Sequence, residues 1–231
     1  MSDPILDNLN PQQYEAVTAP DGPLLIVAGA GTWKTRVITR RLAHLVRDRG
    51  VRPQEIFAVT FTNKAAGEMK HRIGELLQLH SIPPDHFNIS TFHSMCARIL
   101  RREAVNVGLA PNFTICDERD QIAAIRHVMR QLDISEKELK PADAQQVINQ
   151  CKMRMLGPEG VAEVTSSRFE EQYAEIYRAY ERYLAESSAV DFEDLILKTV
   201  RLFQENKDVL QAYRRRFRHV LVDEYQDTNA V

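Results

Sequence analysis

The chain has 231 residues and 44% of them are hydrophobic, which is enough for one large core or two small ones. Lysine and arginine number 30 against 32 aspartate and glutamate, so the formal charge of −2 excludes a uniformly basic protein, and any nucleic-acid surface must be a local groove. No apolar run approaches the roughly 18–20 residues of a membrane span, and the polar start, MSDPILDNLN, lacks the pattern of a secretory signal. The three scattered cysteines (Cys96, Cys116 and Cys151) predict free thiols in a reducing compartment, not a disulfide or zinc framework.

The first hundred residues alternate between strand and helix patterns. Three segments predict strands: LLIVA (24–28) and IFAVTF (56–61), which are typical of buried strands, and FNISTF (87–92). Helical stripes follow them over residues 34–49 before Gly50, over 63–77 with Asn63 as N-cap, and over 93–107 before Gly108. This alternation predicts an α/β fold with a parallel sheet and helices on both faces.

The middle of the chain changes character. From Asp117 to Ser187 the pattern predicts helices and no strand, with Asp117 and Ser135 as N-caps. The segment EEQYAEIYRAYERYL (170–184) carries one stripe made of Tyr173, Ile176, Tyr177, Tyr180 and Leu184. Such a stripe indicates core packing more often than base stacking.

The last stretch returns to the α/β pattern. Asp191 is predicted to cap one helix, a second helix runs from Asp208 into YRRRFRH (213–219), and HVLVDE (219–224) is a buried strand. We therefore predict a helical insertion over about 110–188 inside one α/β domain. The four arginines of YRRRFRH fit either a phosphate contact or, as the favoured alternative, a solvated helix end whose cations face the helix dipole.

The segment VAGAGTWKTR (27–36) has the context of the phosphate-binding loop G-x-x-x-x-G-K-[ST]. Ala28 and Trp33 stand at its two glycine positions, whereas Lys34 and Thr35 match. In such a loop the backbone N–H groups and the lysine hold the phosphates, and the hydroxyl binds Mg²⁺. Taken alone, the segment fits a strand–turn–helix corner with a surface lysine equally well.

The segment HVLVDEYQDTN (219–229) supplies a second half of a site. Asp223 and Glu224 follow a buried strand, at the edge where open α/β sheets bind ligands. Asp223 can hold Mg²⁺, and Glu224 can orient and deprotonate a water molecule. The pair alone also fits an acidic turn, but together with Lys34 and Thr35 it predicts a nucleotide site.

Six ordered segments resemble the motifs of the UvrD/Rep/PcrA-like superfamily 1 DNA helicases. They are LNPQQYEAV (9–17), VAGAGTWKTR (27–36), VTFTNKAAGEM (59–69), STFHSMCARIL (90–100), VDFEDLI (190–196) and LVDEYQDTN (221–229). The resemblance covers nearly the whole chain. It implies a RecA-like P-loop domain 1A made of residues 1–109 and 189–231, incomplete at its C-terminus, with an inserted all-helical subdomain 1B over 110–188.

The resemblance also implies a function. A member of this family would use ATP and Mg²⁺ to move 3′→5′ along single-stranded DNA and to unwind duplex at single-strand/duplex junctions, in DNA repair or replication. Its partners would be DNA and repair or replication proteins, its location the cytoplasm, and it would involve no membrane.

Site residues follow from the same motifs. The catalytic pair would be Lys34 and Glu224, and the metal ligands Thr35 and Asp223. The nucleotide would contact Gln13 at the adenine, and Ala28, Gly29, Ala30, Gly31, Thr32, Trp33, Lys34, Thr35, Arg36 and Gln226. DNA would contact Phe61, Thr62, Asn63, Thr91 and His93, since an aromatic ring can stack a base while hydroxyl and amide groups hold phosphates. Without the resemblance, Phe61 and Phe92 would be read as strand-end core residues, and His93 as a capping or core histidine.

Trp33 is the departure from the family pattern, which has glycine there. Glycine allows left-handed dihedrals, and another residue forced into them loses about 1–2 kcal/mol. We expect either an outward Trp33 with weakened ATP binding, or a distorted and inactive loop. The rival function is a catalytically inactive DNA- or protein-binding module of the same fold.

The family pattern continues beyond Val231. There a second RecA-like domain would supply arginines that stabilise phosphoryl transfer. We therefore expect this chain alone to hydrolyse ATP negligibly, with or without DNA. A helicase–nuclease relative is a further alternative, whose nuclease residues would also lie beyond this segment.

Overall fold

The computed structural model describes residues 3–27, 33–77 and 86–227, and they form two compact units. The first unit comprises Met1–Phe92 and Gln211–Thr228, and the second comprises His93–Leu210. The predicted boundaries, at 109/110 and 188/189, would instead place residues 93–109 and 189–210 with the first unit. The assignment of subdomains 1A and 1B stays a prediction.

Within the described residues, strands and helices follow the chain in this order. The strands are β1 (Ile56–Thr60), β2 (Asn88–Thr91), β3 (Thr114–Ile115), β4 (Ala189–Val190) and β5 (His219–Val222). The helices are α1 (Pro11–Thr18), α2 (Trp33–Arg47), α3 (Asn63–Leu76), α4 (Phe92–Arg102), α5 (Glu118–Gln131), α6 (Pro141–Met153), α7 (Glu170–Glu186), α8 (Phe192–Glu205) and α9 (Lys207–Arg216). Short 3₁₀ turns occupy Pro53–Glu55, Ala104–Val107, Pro158–Glu163 and Tyr225–Asp227.

The sheet of the first unit is parallel, as predicted. Its strand order is β2–β1–β5, and Ala58 in β1 lies between Ile89 in β2 and Leu221 in β5. All three carboxyl ends therefore meet at one edge. The segments that follow β1 and β5, which contain the candidate DNA and metal residues, begin at that edge.

The strand predicted at 24–28 is wrong for the residues described. Leu24 to Val27 form no strand, and Leu25 and Val27 are 71% and 86% exposed. An apolar run becomes a buried strand only when a neighbour pairs with it, and within the described residues the sheet contains β2, β1 and β5 alone. Ala28 lies outside the described residues.

The helices of the first unit bury the predicted stripes. Leu42 and Leu45 of α2 pack with Ala66, Met69 and Ile73 of α3 against the sheet residues of the same apolar cluster. The predicted cap of α3 is off by one residue. Thr62 is the N-cap, because its side chain accepts a hydrogen bond from the Ala65 N–H at 3.1 Å, and Asn63 is the first helical residue.

Glycines mark the ends of helical segments, and aspartate caps mark the starts of others. Gly50 and Gly108 have φ of +65° and +67°, the left-handed conformation that ends a helix. Asp117 and Asp191 cap α5 and α8, as predicted. Ser135 does not cap a helix, because α6 begins only at Pro141, and proline disfavours the helical conformation in the residue before it.

The second unit is built mainly from helices. The stripe of α7 (Tyr173, Ile176, Tyr177, Tyr180 and Leu184) is buried with residues of α5 and α6, so the prediction of core packing is confirmed. Two short parallel strands, β3 and β4, also pair in this unit. Neither strand was predicted, because two residues are too few to show a strand periodicity.

A buried lysine joins three helices of the second unit. Lys152 of α6 has no exposed side-chain surface, and its Nζ lies 2.7 Å from Glu181, 2.7 Å from Asp191 and 2.9 Å from Asp194. The Tyr180 hydroxyl donates to the same Asp191 oxygen at 3.0 Å. Since Glu181 belongs to α7 and Asp191 caps α8, one ammonium group neutralises carboxylates from two neighbouring helices.

We predict that Lys152→Met destabilises the chain by about 3–5 kcal/mol, because it leaves buried carboxylates without a counter-charge. Urea unfolding followed by circular dichroism measures the loss. The matched control is Lys198→Met, whose ammonium lies 3.8 Å from Asp194 and is 24% exposed. It should cost less than about 1 kcal/mol; equal losses for both variants would contradict the assignment.

Candidate functional site

Lys34 and Glu224 meet at the carboxyl edge of the sheet. Lys34 lies in the first turn of α2, and Glu224 follows β5 by two residues. The Lys34 ammonium donates to Glu224 Oε2 at 3.0 Å, and the two side chains are 22% and 36% exposed. Two groups 190 positions apart in the sequence therefore form an ion pair that a ligand can reach from solvent.

Asp223 is the buried member of the site. Its N–H donates to the Val59 carbonyl at 2.9 Å, which extends the pairing of β5 with β1. The residue is 5% exposed, and its Oδ1 has no hydrogen-bond partner in the described part of the chain. Burial and then the Glu224 carboxylate raise the pKa of Asp223, whereas Lys34 and the Thr35 hydroxyl lower it. A buried carboxylate oxygen without a partner is costly, and a bound cation would remove that cost.

The donor set around Asp223 fits Mg²⁺. This ion prefers oxygen ligands and usually takes only one or two protein carboxylates, with water and phosphate completing its shell. The unpaired Asp223 Oδ1 and the nearby Thr35 hydroxyl are such ligands. Over the described ranges there is no cluster of three His, Cys, Asp or Glu side chains suited to a metal, and a phosphate-bound Mg²⁺ needs none.

Glu224 has an unusual backbone. Its φ is +52°, a left-handed conformation that costs a residue with a Cβ about 1–2 kcal/mol. The Gln226 side-chain amide donates to Glu224 Oε2, and this bond, followed by the one from Lys34, lowers the pKa of Glu224. The carboxylate is thus ionised at neutral pH. Backbone strain of this kind is concentrated at functional sites.

Gln13 and Arg36 both contact the N-terminal segment. Gln13 completes a capping box, in which its Oε1 accepts from the Asn10 N–H at 3.0 Å while its own N–H donates to Asn10 Oδ1 at 2.8 Å. Arg36 donates to the Asn8 carbonyl at 3.3 Å. The candidate residues Ala28, Gly29, Ala30, Gly31 and Thr32 lie outside the described residues.

The structure contradicts two expectations for Trp33, one about its backbone and one about its side chain. It is the first residue of α2, so its backbone is helical and the expected left-handed strain is wrong. The ring is partly buried and packs against the apolar cluster of Ile5, Val17, Val37 and Ala43, so an outward orientation is wrong as well. The alternative of a distorted loop concerns residues 28–32 and stays a prediction.

Phe61, Thr62 and Asn63 lie at the carboxyl edge, directly after β1. Phe61 is 47% exposed, so packing in a strand-end core is wrong for this residue. Thr62 and Asn63 are exposed too, although the Thr62 hydroxyl is already engaged as the cap of α3. The structure thus brings together one ring and two polar side chains on an accessible surface of the first unit.

Thr91 and His93 differ in exposure. Thr91, the last residue of β2, is 8% exposed. In the second unit His93 is partly buried, burial lowers its pKa, and its ring lies 4.7 Å from that of Phe192, centroid to centroid. Phe192 is 50% exposed and was missed as a candidate. The motif VDFEDLI contained the signal, an aromatic residue at the first position after a helix cap.

The family described as the UvrD/REP helicase N-terminal domain matches residues 9–231, and the chain belongs to this family. Among its relatives are proteins named ATP-dependent DNA helicase PcrA. The one from Bacillus subtilis (strain 168) is 42% identical over 229 residues, which are 99% of this chain and 31% of the relative. The one from Leuconostoc citreum is 45% identical over 225 residues, covering 97% and 30% of the two chains. The chain thus spans about 30% of the length of the curated relatives that it matches.

Among the helices of the described ranges, none is both long enough and apolar enough to cross a bilayer.

We predict opposite stability effects at the two acidic residues. The folded state raises the pKa of Asp223 above its ordinary value of 3.8. The free energy of unfolding therefore falls as the pH rises from 3.8 through the folded pKa, and at pH 7 the ionised Asp223 destabilises the fold. Asp223→Asn should therefore stabilise the chain, by an amount of the order of 1 kcal/mol, the usual gain from removing one unfavourable group. Thermal unfolding at pH 7 measures it, and the gain should shrink towards pH 4.

Glu224→Gln is the matched comparison. The folded state lowers the pKa of Glu224, so its carboxylate contributes stability at neutral pH that disappears as the pH falls through the folded pKa. The glutamine variant should be slightly less stable than the wild type. The assignment of the two roles is wrong if both variants shift the unfolding temperature in the same direction.

Proposed function

We propose that the chain is the nucleotide-binding and DNA-contacting segment of an ATP-dependent DNA helicase that moves 3′→5′ on single-stranded DNA. Family membership and the printed names of its relatives support the helicase assignment. The single observation that carries it is the contact between Lys34 and Glu224 beside the buried Asp223. Action in the cytoplasm, in DNA repair or replication and at single-strand/duplex junctions, belongs to the same proposal.

The proposed fold is a RecA-like P-loop domain with an inserted helical subdomain. The parallel order β2–β1–β5 supports it, as does the position of α2 beside the end of β5. Between residues 110 and 188 the described secondary structure is helical apart from the two residues of β3. This pattern supports the assignment of 110–188 to subdomain 1B.

Nucleotide binding would exchange one anion for another at Lys34. In the chain alone its ammonium contacts Glu224 Oε2. When a triphosphate enters, a β- or γ-phosphate oxygen can take the place of that carboxylate, because phosphate is the stronger acceptor for a cation. Glu224 would then be released from Lys34, one of the two contacts that lower its pKa, and could orient and deprotonate water.

Asp223 and Thr35 would hold Mg²⁺ in this scheme. The bound ion supplies positive charge that neutralises the phosphate oxygens during phosphoryl transfer. Gln13 and Arg36 would contact the base and ribose side of the nucleotide, the loop 28–32 its phosphates, and Gln226 would keep Glu224 in place through its hydrogen bond.

The sole tryptophan provides the test of nucleotide binding, because Trp33 is the residue before Lys34. Titration with ATP and Mg²⁺ should change its fluorescence to saturation. Lys34→Ala should weaken binding at least about tenfold, the effect of removing one charge-assisted hydrogen bond. Asp223→Asn should abolish the dependence of affinity on Mg²⁺.

One control variant and one variant of Trp33 complete that experiment. Lys207→Ala removes the same charge from an exposed position at the start of α9 and should leave the affinity unchanged. Trp33→Gly, followed by calorimetry, should bind nucleotide more tightly, at the expense of the packing of Trp33 on its apolar cluster. A wild-type chain with no affinity for nucleotide would overturn the ATP assignment.

The proposed DNA contacts are taken unit by unit: Phe61, Thr62 and Asn63 on the first unit, and His93 with Phe192 on the second. Exposed rings at Phe61 and Phe192 are suited to stack on unpaired bases. His93 is kept neutral by burial and lies against Phe192, so it adds a flat polar edge without a charge. Thr91, which is buried, would contribute by supporting the end of β2.

We predict that Phe61→Ala weakens binding to oligo(dT) by about 5- to 150-fold, the effect of losing one stacked base at roughly 1–3 kcal/mol. Fluorescence anisotropy with a labelled oligonucleotide measures it. Tyr14→Ala removes an aromatic ring of similar exposure, 50% against 47%, from α1 and should have little effect. If both variants bind as the wild type does, the proposed stacking role of Phe61 is lost.

A second candidate function rests on Trp33. It is an inactive DNA- or protein-binding module, in which the bulky residue before Lys34 prevents productive nucleotide binding. The titrations separate the two functions, since the module would bind oligo(dT) but show no saturable response to ATP and Mg²⁺. The expectation that this chain alone has negligible ATPase activity is common to both.

A further inference from the structure

The basic end of α9 has no role in the function proposed above. YRRRFRH places arginines at 214, 215, 216 and 218, and all four are exposed. The Arg218 N–H donates to the Glu55 carbonyl at 3.0 Å, so this end of α9 adjoins the turn before β1. We call Arg52, Arg215, Arg216 and Arg218 the lower-edge cluster.

Three members of the lower-edge cluster line a cleft, and the cluster carries an excess of positive charge. The cleft has a volume of about 250 Å³ and is lined by Arg52, Gln54, Glu55, Arg215 and Arg216. Arg52 is ion-paired with Glu55, whereas the other three arginines of the cluster form no ion pair with any residue that the structure describes. The cluster therefore has three exposed guanidinium groups, and the charge of the fourth, Arg52, is neutralised by Glu55.

The aromatic residues next to the cluster are already engaged. Phe217 lies 5.4 Å from Phe57 and 6.1 Å from Tyr213 between ring centroids, and the Arg216 guanidinium lies over its ring at 5.1 Å. These contacts place Arg216 over the Phe217 ring, and Phe57, Tyr213 and Phe217 are all partly buried. The surface thus offers exposed positive charge and hydrogen-bond donors, while these three described rings are not exposed.

The cluster is at the amino ends of the strands, opposite the candidate nucleotide site. Glu55 precedes β1 and Arg218 precedes β5, whereas Phe61, Asp223 and Glu224 follow those strands. A strand of five residues spans about 16 Å. A ligand on the cluster would therefore not compete with a nucleotide.

We propose that the lower-edge cluster binds the phosphate backbone of duplex DNA. Arginine forks match phosphate oxygens in geometry and charge. A duplex displays phosphates and keeps its bases stacked inside, whereas a single strand gains affinity from stacking on free rings. A surface with three exposed guanidinium groups outside any described ion pair, and with its neighbouring rings partly buried, fits the duplex. The inference rests on the proposed function only in taking DNA as the ligand.

Helix electrostatics is the competing account of the same residues. Cations at the C-terminal end of α9 stabilise the helix dipole whether or not a ligand binds. That role changes the unfolding temperature but not the affinity for DNA, so the two accounts are separable by experiment.

The experiment compares the chain with its double variant Arg215→Gln/Arg216→Gln. Anisotropy titrations use a short blunt-ended duplex and oligo(dT) of equal length, over a series of salt concentrations. We expect the variant to bind duplex about tenfold more weakly, with a salt slope smaller by about 1.8, which corresponds to two phosphate contacts at roughly 0.9 each. Binding to oligo(dT) should be nearly unchanged.

The matched control is Arg119→Gln/Arg130→Gln, which removes two exposed arginines from α5 and the same total charge. An equal loss of duplex binding in the control would make the effect one of net charge and overturn the proposal. So would a double variant that binds duplex like the wild type, or one that loses duplex and oligo(dT) binding equally. A wild-type chain that binds neither DNA would refute the proposed function itself.

Discussion

The candidate site depends on one constraint, the pairing of β5 with β1 in parallel. That pairing brings the end of β5 beside the first turn of α2, and only there can the Lys34 ammonium reach Glu224 across 190 positions of sequence. The Asp223 N–H continues the ladder by bonding to Val59, so the acidic pair is held by the sheet itself. A shift of β5 by one residue would exchange the buried and the exposed carboxylate.

That exchange would matter because the two neighbours have opposite environments. Asp223 is buried and its pKa is raised, whereas Glu224 is partly exposed, accepts bonds from Gln226 and Lys34, and has a lowered pKa. A desolvated carboxylate with an unpaired oxygen suits a cation, and an ionised carboxylate facing solvent is suited to accept hydrogen bonds. Glu224 also has a left-handed backbone, with φ of +52°.

Much of this arrangement could be predicted from the sequence. The strands at 56 and 219 are apolar runs, the strand at 88 lies between Phe87 and Phe92, and the caps at Asp117 and Asp191 are short-range features. The failures involve information that is not local. Leu24–Val27 has the composition of a strand but pairs with no strand among the described residues. Trp33 packs on an apolar cluster whose residues come from distant positions in the sequence. The site residues of the loop 28–32 remain predictions.

Lys152 was invisible to sequence analysis because a lone lysine in a helix normally indicates a solvated face. Its burial has a consequence for how the second unit folds. An ammonium has three protons, and here three carboxylates from α7, α8 and the cap of α8 converge on it. None of these helices can dock separately without leaving bare charge in a dry interior, so we expect α6, α7 and α8 to assemble in a single cooperative step, with no stable half-docked intermediate.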